Sequence, residues 1–296
     1  MRIPFLIVIF LGFIPNLISQ GCSDAGMCTV AGLSSGFDDD TKSNIVRLSS
    51  IFGLGEQNVF HAELELSAEY STFKNQSIQV KIPYRTTIGN LGTVSGLGDM
   101  VISLNQKLVT FENGWLSAVA GLKIPTNDAN KSLNGNPLPM AYQTSLGTYD
   151  MIIGLGGYYK KWHFSAGYQH SFGRNENKFL HRDDNPEYFN NYQESYHLKR
   201  ADDIILRVER QFKLKKSTLA VGALPIYHLA NDEIKEGEEV PNSSGLTFNL
   251  NTKLDIAMKN DWKVNFMLAA PIIDKENRPD GLTRSFVAVV SFSKSL

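Results

Sequence analysis

The chain has 296 residues, enough for one large all-β domain or two ordinary ones. Lys+Arg (29) and Asp+Glu (30) nearly cancel, so no global field draws the chain to nucleic acid or to an anionic surface. Hydrophobic residues make up 42 % and mean hydropathy is -0.18. That is too polar for a bundle of transmembrane helices, but it suits a barrel in which alternate strand residues face lipid.

In chain order, residues 1–20 read as an export signal. Arg2 is the basic start, Phe5 to Ile14 the apolar run, and Ser19-Gln20 precede a cut before Gly21. The run is too short for a transmembrane helix; an uncleaved anchor is the alternative. No later stretch is apolar for about 18 residues, so no spanning helix is expected. Residues 21–42 form a short periplasmic or lumenal segment that carries Cys22 and Cys28. The pair is close enough to close a small disulfide loop in an oxidising compartment. Alternatively Cys22 is a lipid-modified N-terminus, although Ser19-Gln20-Gly21 matches a Leu-led lipobox poorly. Two cysteines do not make a structural zinc site, and the six histidines show no ligand spacing, so neither metal nor cofactor is expected.

From residue 43 to 296 the pattern has period two. Phe60, Ala62, Leu64, Leu66, Ala68 and Tyr70 share one face, and His61, Glu63, Glu65, Ser67 and Glu69 the other. The same separation recurs at 97–110 and 245–258. Twelve antiparallel strands are expected, at about 43–53, 57–70, 74–84, 97–110, 114–124, 147–159, 162–173, 199–212, 216–228, 245–258, 262–271 and 282–293. Most are longer than strands of globular domains and suit a tilted crossing of a bilayer. Short turns (71–73, 112–113, 160–161, 214–215, 259–261) alternate with long loops (85–96, 125–146, 174–198, 229–244, 272–281). This asymmetry marks a single up-and-down transmembrane β-barrel, with short turns in the periplasm and longer loops outside.

Ile82-Pro83, Ile124-Pro125, Leu224-Pro225 and Ala270-Pro271 read as ends of outward-running strands, because proline lacks the ladder N–H. Trp115, Trp162 and Trp262 each follow a short turn and are expected at one height, as an interfacial girdle. The same alternation nevertheless puts Trp115 on the lumen face. The lumen-lining candidates are Glu63, Glu65, Glu69, Lys81, Asp99, Lys107, Lys123, Arg207, Glu209, Lys253 and Asp255, with Lys263 beside them. Mixed signs suggest a salt-bridged interior. The Glu63/Glu65/Glu69 stripe either pairs with Lys81 and Arg85 or meets a cation or substrate. No catalytic set is expected: His170 and Ser171 are adjacent strand residues on opposite faces, and no Gly-x-Ser-x-Gly elbow occurs. The chain is therefore not read as an enzyme.

Gly96-Leu97-Gly98-Asp99-Met100-Val101-Ile102-Ser103-Leu104 and Gly121-Leu122-Lys123-Ile124-Pro125-Thr126 resemble motifs of the MetA-pathway of phenol degradation family. These are outer-membrane barrels similar at a distance to long-chain fatty-acid transporters. Gly21 to Cys28 is also similar to the mature start of some members. The resemblance implies a transporter-like barrel for a small molecule, hydrophobic ones included, set in outer-membrane lipid and lipopolysaccharide and inserted by the barrel-assembly machinery. The end Phe292-Ser293-Lys294-Ser295-Leu296 departs from the terminal aromatic of such barrels, and no long N-terminal hatch precedes the first strand. The alternative is a structural or adhesive barrel acting through its outer loops.

Overall fold

A computed structural model describes residues 44–73, 75–183, 187–281 and 285–296. The export signal, the 21–42 segment and both cysteines lie outside these residues. Twelve long strands form a closed antiparallel barrel: β1 (Ile45–Leu54), β2 (Phe60–Ser71), β3 (Gln76–Gly89), β4 (Met100–Phe111), β5 (Gly114–Ile124), β6 (Tyr149–Tyr159), β7 (Trp162–Phe172), β8 (Asp203–Lys213), β9 (Ser217–His228), β10 (Gly245–Ala257), β11 (Trp262–Ile273) and β12 (Phe286–Ser295). Each pairs with its chain neighbour, and β12 returns to pair β1 from Ile45↔Ser295 to Leu54↔Phe286. Closure leaves no open sheet edge, the condition for a sheet to sit in hydrocarbon.

The outer face is apolar because alternation puts every second side chain there. Leu64 and Leu66 on β2, Ile153 and Leu155 on β6, and Leu206 and Val208 on β8 are all exposed. In lipid, these positions are buried by the bilayer. A charge placed at the midplane there costs about 2–4 kcal/mol.

All twelve expected strands are present, and short turns cluster at one rim and long connections at the other, except that the short β1–β2 connection lies with the long ones. One loop is different. The 85–96 stretch is not irregular: β3 runs on to Gly89 and pairs with a short strand Gly92–Leu97, so a two-stranded tongue rises above the barrel. Three of the four prolines behave differently from the expectation, while β5 ends at Ile124, just before Pro125, as expected. Pro83, Pro225 and Pro271 do not end strands; each lies inside one, where the ladder breaks. At Pro83, β3 changes partner from β4 to the tongue strand. The β8–β9 ladder omits Leu224 and Pro225. At Pro271 the β10–β11 register slips by one residue. A missing N–H is harmless where no ladder bond is made, which is why proline fits these points.

Trp162 and Trp262 stand outward near the short-turn rim, with Arg210 over the first ring and Lys294 over the second. Trp115 does not join them. It shares the parity of Ser117 and Val119 on β5, all buried, and points into the lumen. The girdle therefore has two tryptophans, not three.

Candidate functional site

The lumen is layered, and each strand shows the layers in order. On β6, Asp150 is followed inward by Ile152. On β8, Ile205 lies between Asp203 and Arg207. On β9, Ile226 and Leu224 separate His228 from Gly222. An upper charged layer, a middle apolar belt and a lower polar wall follow from these alternating positions.

The upper layer centres on Arg200, in the loop before β8. Its Nε lies 3.0 Å from Asp280, Nη2 3.2 Å from Asp203, and Nη1 3.8 Å from Asp150. Burial works against the guanidinium charge, but Asp280, Asp203, Asp150 and Asp232 more than restore it and raise its pKa above the ordinary value. His228 places Nδ1 2.6 Å from Asp203 and Nε2 2.8 Å from Asp232. Asp150 also takes Lys123 at 2.5 Å and hydrogen bonds from Ser171, Thr148 and Gln169. Lys123 reaches Asp99 at 3.7 Å, and Asp99 accepts the Leu146 N–H. The two short sequence motifs thus meet in space: Asp99 of the first faces Lys123 of the second, and Thr126 donates to the Leu97 carbonyl.

Above this layer the long loops pack into a cap with two apolar cores. Val59, Leu91, Leu138, Ala141, Tyr142, Phe179, Phe189 and Tyr192 form one, and Ala129, Met140, Leu146, Leu198, Ile234 and Val240 the other. Burying each large apolar side chain contributes roughly 1.5–3 kcal/mol, so the cap is a folded unit and not a fringe of loose loops. Asn177 threads it, donating to the Ala129 and Leu138 carbonyls. The first hairpin joins through Glu56, which accepts the Gln193 N–H at 3.0 Å.

Burial pushes the Glu56 carboxyl up to about 7; the Gln193 N–H pulls it down and Asp280 adds to the rise. A carboxyl raised on docking binds its proton more tightly when docked. The attachment is therefore strongest below the ordinary value of 4.5 and weakens as pH climbs to about 7. Hydrogen exchange at the Gln193 amide should accelerate across that interval beyond its intrinsic pH dependence. Glu56→Gln should remove the excess; an unchanged slope would rule this carboxyl out.

The middle belt is one buried cluster of Val101, Val119, Ile152, Ile205, Leu224, Ile226 and Ala269. Below it, Glu209 lies over Gly222, where a Cβ would come within 2.3 Å of the Glu209 Cγ. There it pairs with Arg207 at 3.1 Å and accepts from Asn251 at 2.7 Å. The Trp115 ring meets His163 edge-on at 6.2 Å, and Lys107 lies over Trp115. Lys253 pairs with Asp255 at 3.1 Å near the short-turn rim. On β2, Glu63 pairs with Arg85, Glu65 with Lys81, and Glu69 accepts from Ser77. Two charges of the acidic stripe are matched by cations on the neighbour strand, and Glu69 is hydrogen-bonded there by Ser77, which brings no counter-charge.

The upper layer brings in Asp150, Arg200, Asp203, His228, Asp232 and Asp280, none of which sequence reasoning selected. Asp150 and Asp203 had a signal, as charged residues at inward strand positions. Arg200, inside the strand expected from 199, lies instead in the loop before β8, which begins at Asp203; Asp232 and Asp280 also lie in loops, where no periodicity reports direction. His170 and Ser171 are separated as alternation requires: Ser171 bonds Asp150 inside, and His170 pairs with Asp202. Among the described residues no cluster of His, Cys, Asp or Glu suits a metal ion.

The architecture is a closed twelve-stranded antiparallel β-barrel, the fold of solved outer-membrane barrels. The COG4313 outer membrane channel from Pseudomonas putida F1 superposes with a TM-score of 0.64 at 13% identity, covering 88% of this chain and 100% of that one. The NanC porin superposes with a TM-score of 0.50 at 10% identity, covering 85% of this chain and 100% of that one. No family model and no curated protein sequence matches the chain. The likeness to the phenol-degradation family accordingly rests on its two short motifs.

Proposed function

We propose that the protein is an outer-membrane channel that passes a small molecule through its barrel, with the long-loop rim outside and the cap as its closed outer mouth. The observation that carries this reading is the contrast between an apolar outer face and an inner face of charged and polar residues in one closed sheet. A barrel serving only as an anchor needs the first and not the second. The buried packing of cap and lumen favours a second reading, a structural or adhesive barrel that acts through its loops. Planar-bilayer recording separates the two. The channel reading expects small, infrequent openings from the intact protein and larger ones once the cap is released. Silence in both states would defeat it.

A further inference from the structure

We infer that the lipid-facing wall of the barrel carries a site for the phosphate of an outer-leaflet glycolipid, built from His170, with Asp202 and Tyr168 behind it, and from Lys199 above. The inference rests on the outer-membrane setting with the long-loop rim outside, and it needs no open lumen.

His170 faces outward. It shares the parity of the exposed Trp162 and Phe164 on β7, and its side chain is 38% exposed. An ionisable group on that face is expensive unless polar partners stand at its height. Its Nδ1 lies 2.7 Å from Asp202 Oδ1, and Tyr168 donates to Asp202 Oδ2. Both carboxylate oxygens are thus engaged, and the one facing the imidazole accepts from Nδ1–H, which fixes the ring's orientation. Nε2 is the group left to face outward, with no hydrogen-bond partner among the described residues. Phe172 packs edge-on against the ring at 4.6 Å and steadies it.

Height selects a lipid headgroup. His170 lies eight residues beyond Trp162 on the same outward-running strand. At about 3.3 Å per residue and a tilt of about 40°, that places it roughly 20 Å above the girdle. The apolar band of such barrels is about 25 Å tall, so Nε2 stands near the level where acyl chains give way to headgroups. Tyr149, opposite Phe172, and Tyr227, opposite Ile204, are exposed at the same end of the wall, as aromatic residues are at an interface. Lys199 comes three residues before Asp202, beside the lumen-facing Arg200, and its side chain is 46% exposed. It gives one donor to Glu233 at 2.9 Å, a carboxylate that Arg174 also holds, and has two more to offer. A phosphate monoester suits His170 in either protonation state: Nε2–H of the imidazolium donates to its oxygen, and neutral Nε2 accepts its O–H. A carboxylate or sulfate headgroup, without that proton at neutral pH, fits only the first.

The full chain, refolded from inclusion bodies into detergent so that no cellular lipid is carried over, is titrated with bis-phosphorylated lipid A and read by native mass spectrometry. One saturably bound lipid per barrel is expected. His170→Phe, a residue at home on a lipid-facing wall, and Lys199→Gln should each weaken apparent affinity about tenfold, the loss of one charge-assisted hydrogen bond. Lipid A stripped of both phosphates should bind the native chain no better than the intact lipid binds the variants. Heat-modifiable gel migration checks that each variant has folded. No saturable binding, equal affinity in either folded variant, or undiminished binding of the stripped lipid overturns the proposal. Full displacement by millimolar inorganic phosphate also overturns it, by making the site one for a free anion. Conductance plays no part in the readout, so a silent barrel would remove the channel reading and leave this site standing.

Discussion

Arg200→Ala is expected to release the cap and turn a nearly silent barrel into a conducting one. The guanidinium is the shared counter-charge of Asp150 and Asp203 in the wall and Asp280 in the cap. It therefore fastens loop to barrel through charge. Removing one partner of a buried ion cluster leaves the others uncompensated, at a cost of about 3–5 kcal/mol. Here three carboxylates are left facing one another, with Lys123 beside Asp150 and His228 beside Asp203. The repulsion acts across the cap–barrel junction, so the junction yields before the hydrogen-bonded wall does. Single-channel current should rise at least tenfold, and protease should cut the 274–281 segment, while heat-modifiable migration is retained. Unchanged current and protection would show that the apolar cores alone hold the cap. Arg200→Lys should fall between, because an ammonium cannot span three carboxylates at once.

Gly281→Ala should produce a similar release by a steric route. Gly281 sits at φ +64, and a Cβ there would come within 2.2 Å of the Ala141 backbone nitrogen and 2.4 Å of the Met140 carbonyl carbon. Both are backbone atoms of the short 3-10 turn Met140–Tyr142, whose residues are buried in the cap. No rotamer change relieves such a contact; the segment has to move. Strain at positive φ adds about 1 kcal/mol or more, and the overlap adds further cost. The expected result is faster proteolysis of 274–281, with lower cap stability and unchanged barrel migration. Loss of the barrel itself would mean that cap and wall fold as one unit.

The barrel was legible because its signal is repetitive. Each strand repeats the period-two pattern, so errors at one boundary do not spread, and the turn-length alternation reinforces the count. That the acidic stripe of β2 meets Arg85 and Lys81 was one of two readings within reach of the sequence, because neighbouring antiparallel strands bring such residues together; Glu63 opposes Arg85 directly, and Glu65 reaches Lys81 on the diagonal. The cap was not legible. Arg200 meets Asp280 across 80 residues of chain, and nothing local encodes that pairing. The tongue, in which 84–89 pairs with 92–97, was hidden by Pro83, which reads as a stop on sequence grounds yet sits where β3 changes partners. Trp115 shows the opposite error: alternation placed it inside, while analogy with its two fellow tryptophans placed it outside. Parity decided, because the pleat constrains direction more tightly than residue type does.

The seam between β1 and β12 has a kinetic consequence. Ser49 and Ser291 touch hydroxyl to hydroxyl at 3.0 Å across a sequence separation of 242 residues. Every other ladder of the barrel joins strands that follow one another in the chain, so eleven hairpin steps can accumulate locally, each closing a modest loop. The twelfth must draw together the two ends of the sheet, and it gains its ladder only after that entropy has been spent. Until then both terminal strands present unpaired backbone, the state most open to wrong partners. The slow step of assembly should therefore be zipping of this one seam, and weakening it should delay closure far more than weakening any hairpin.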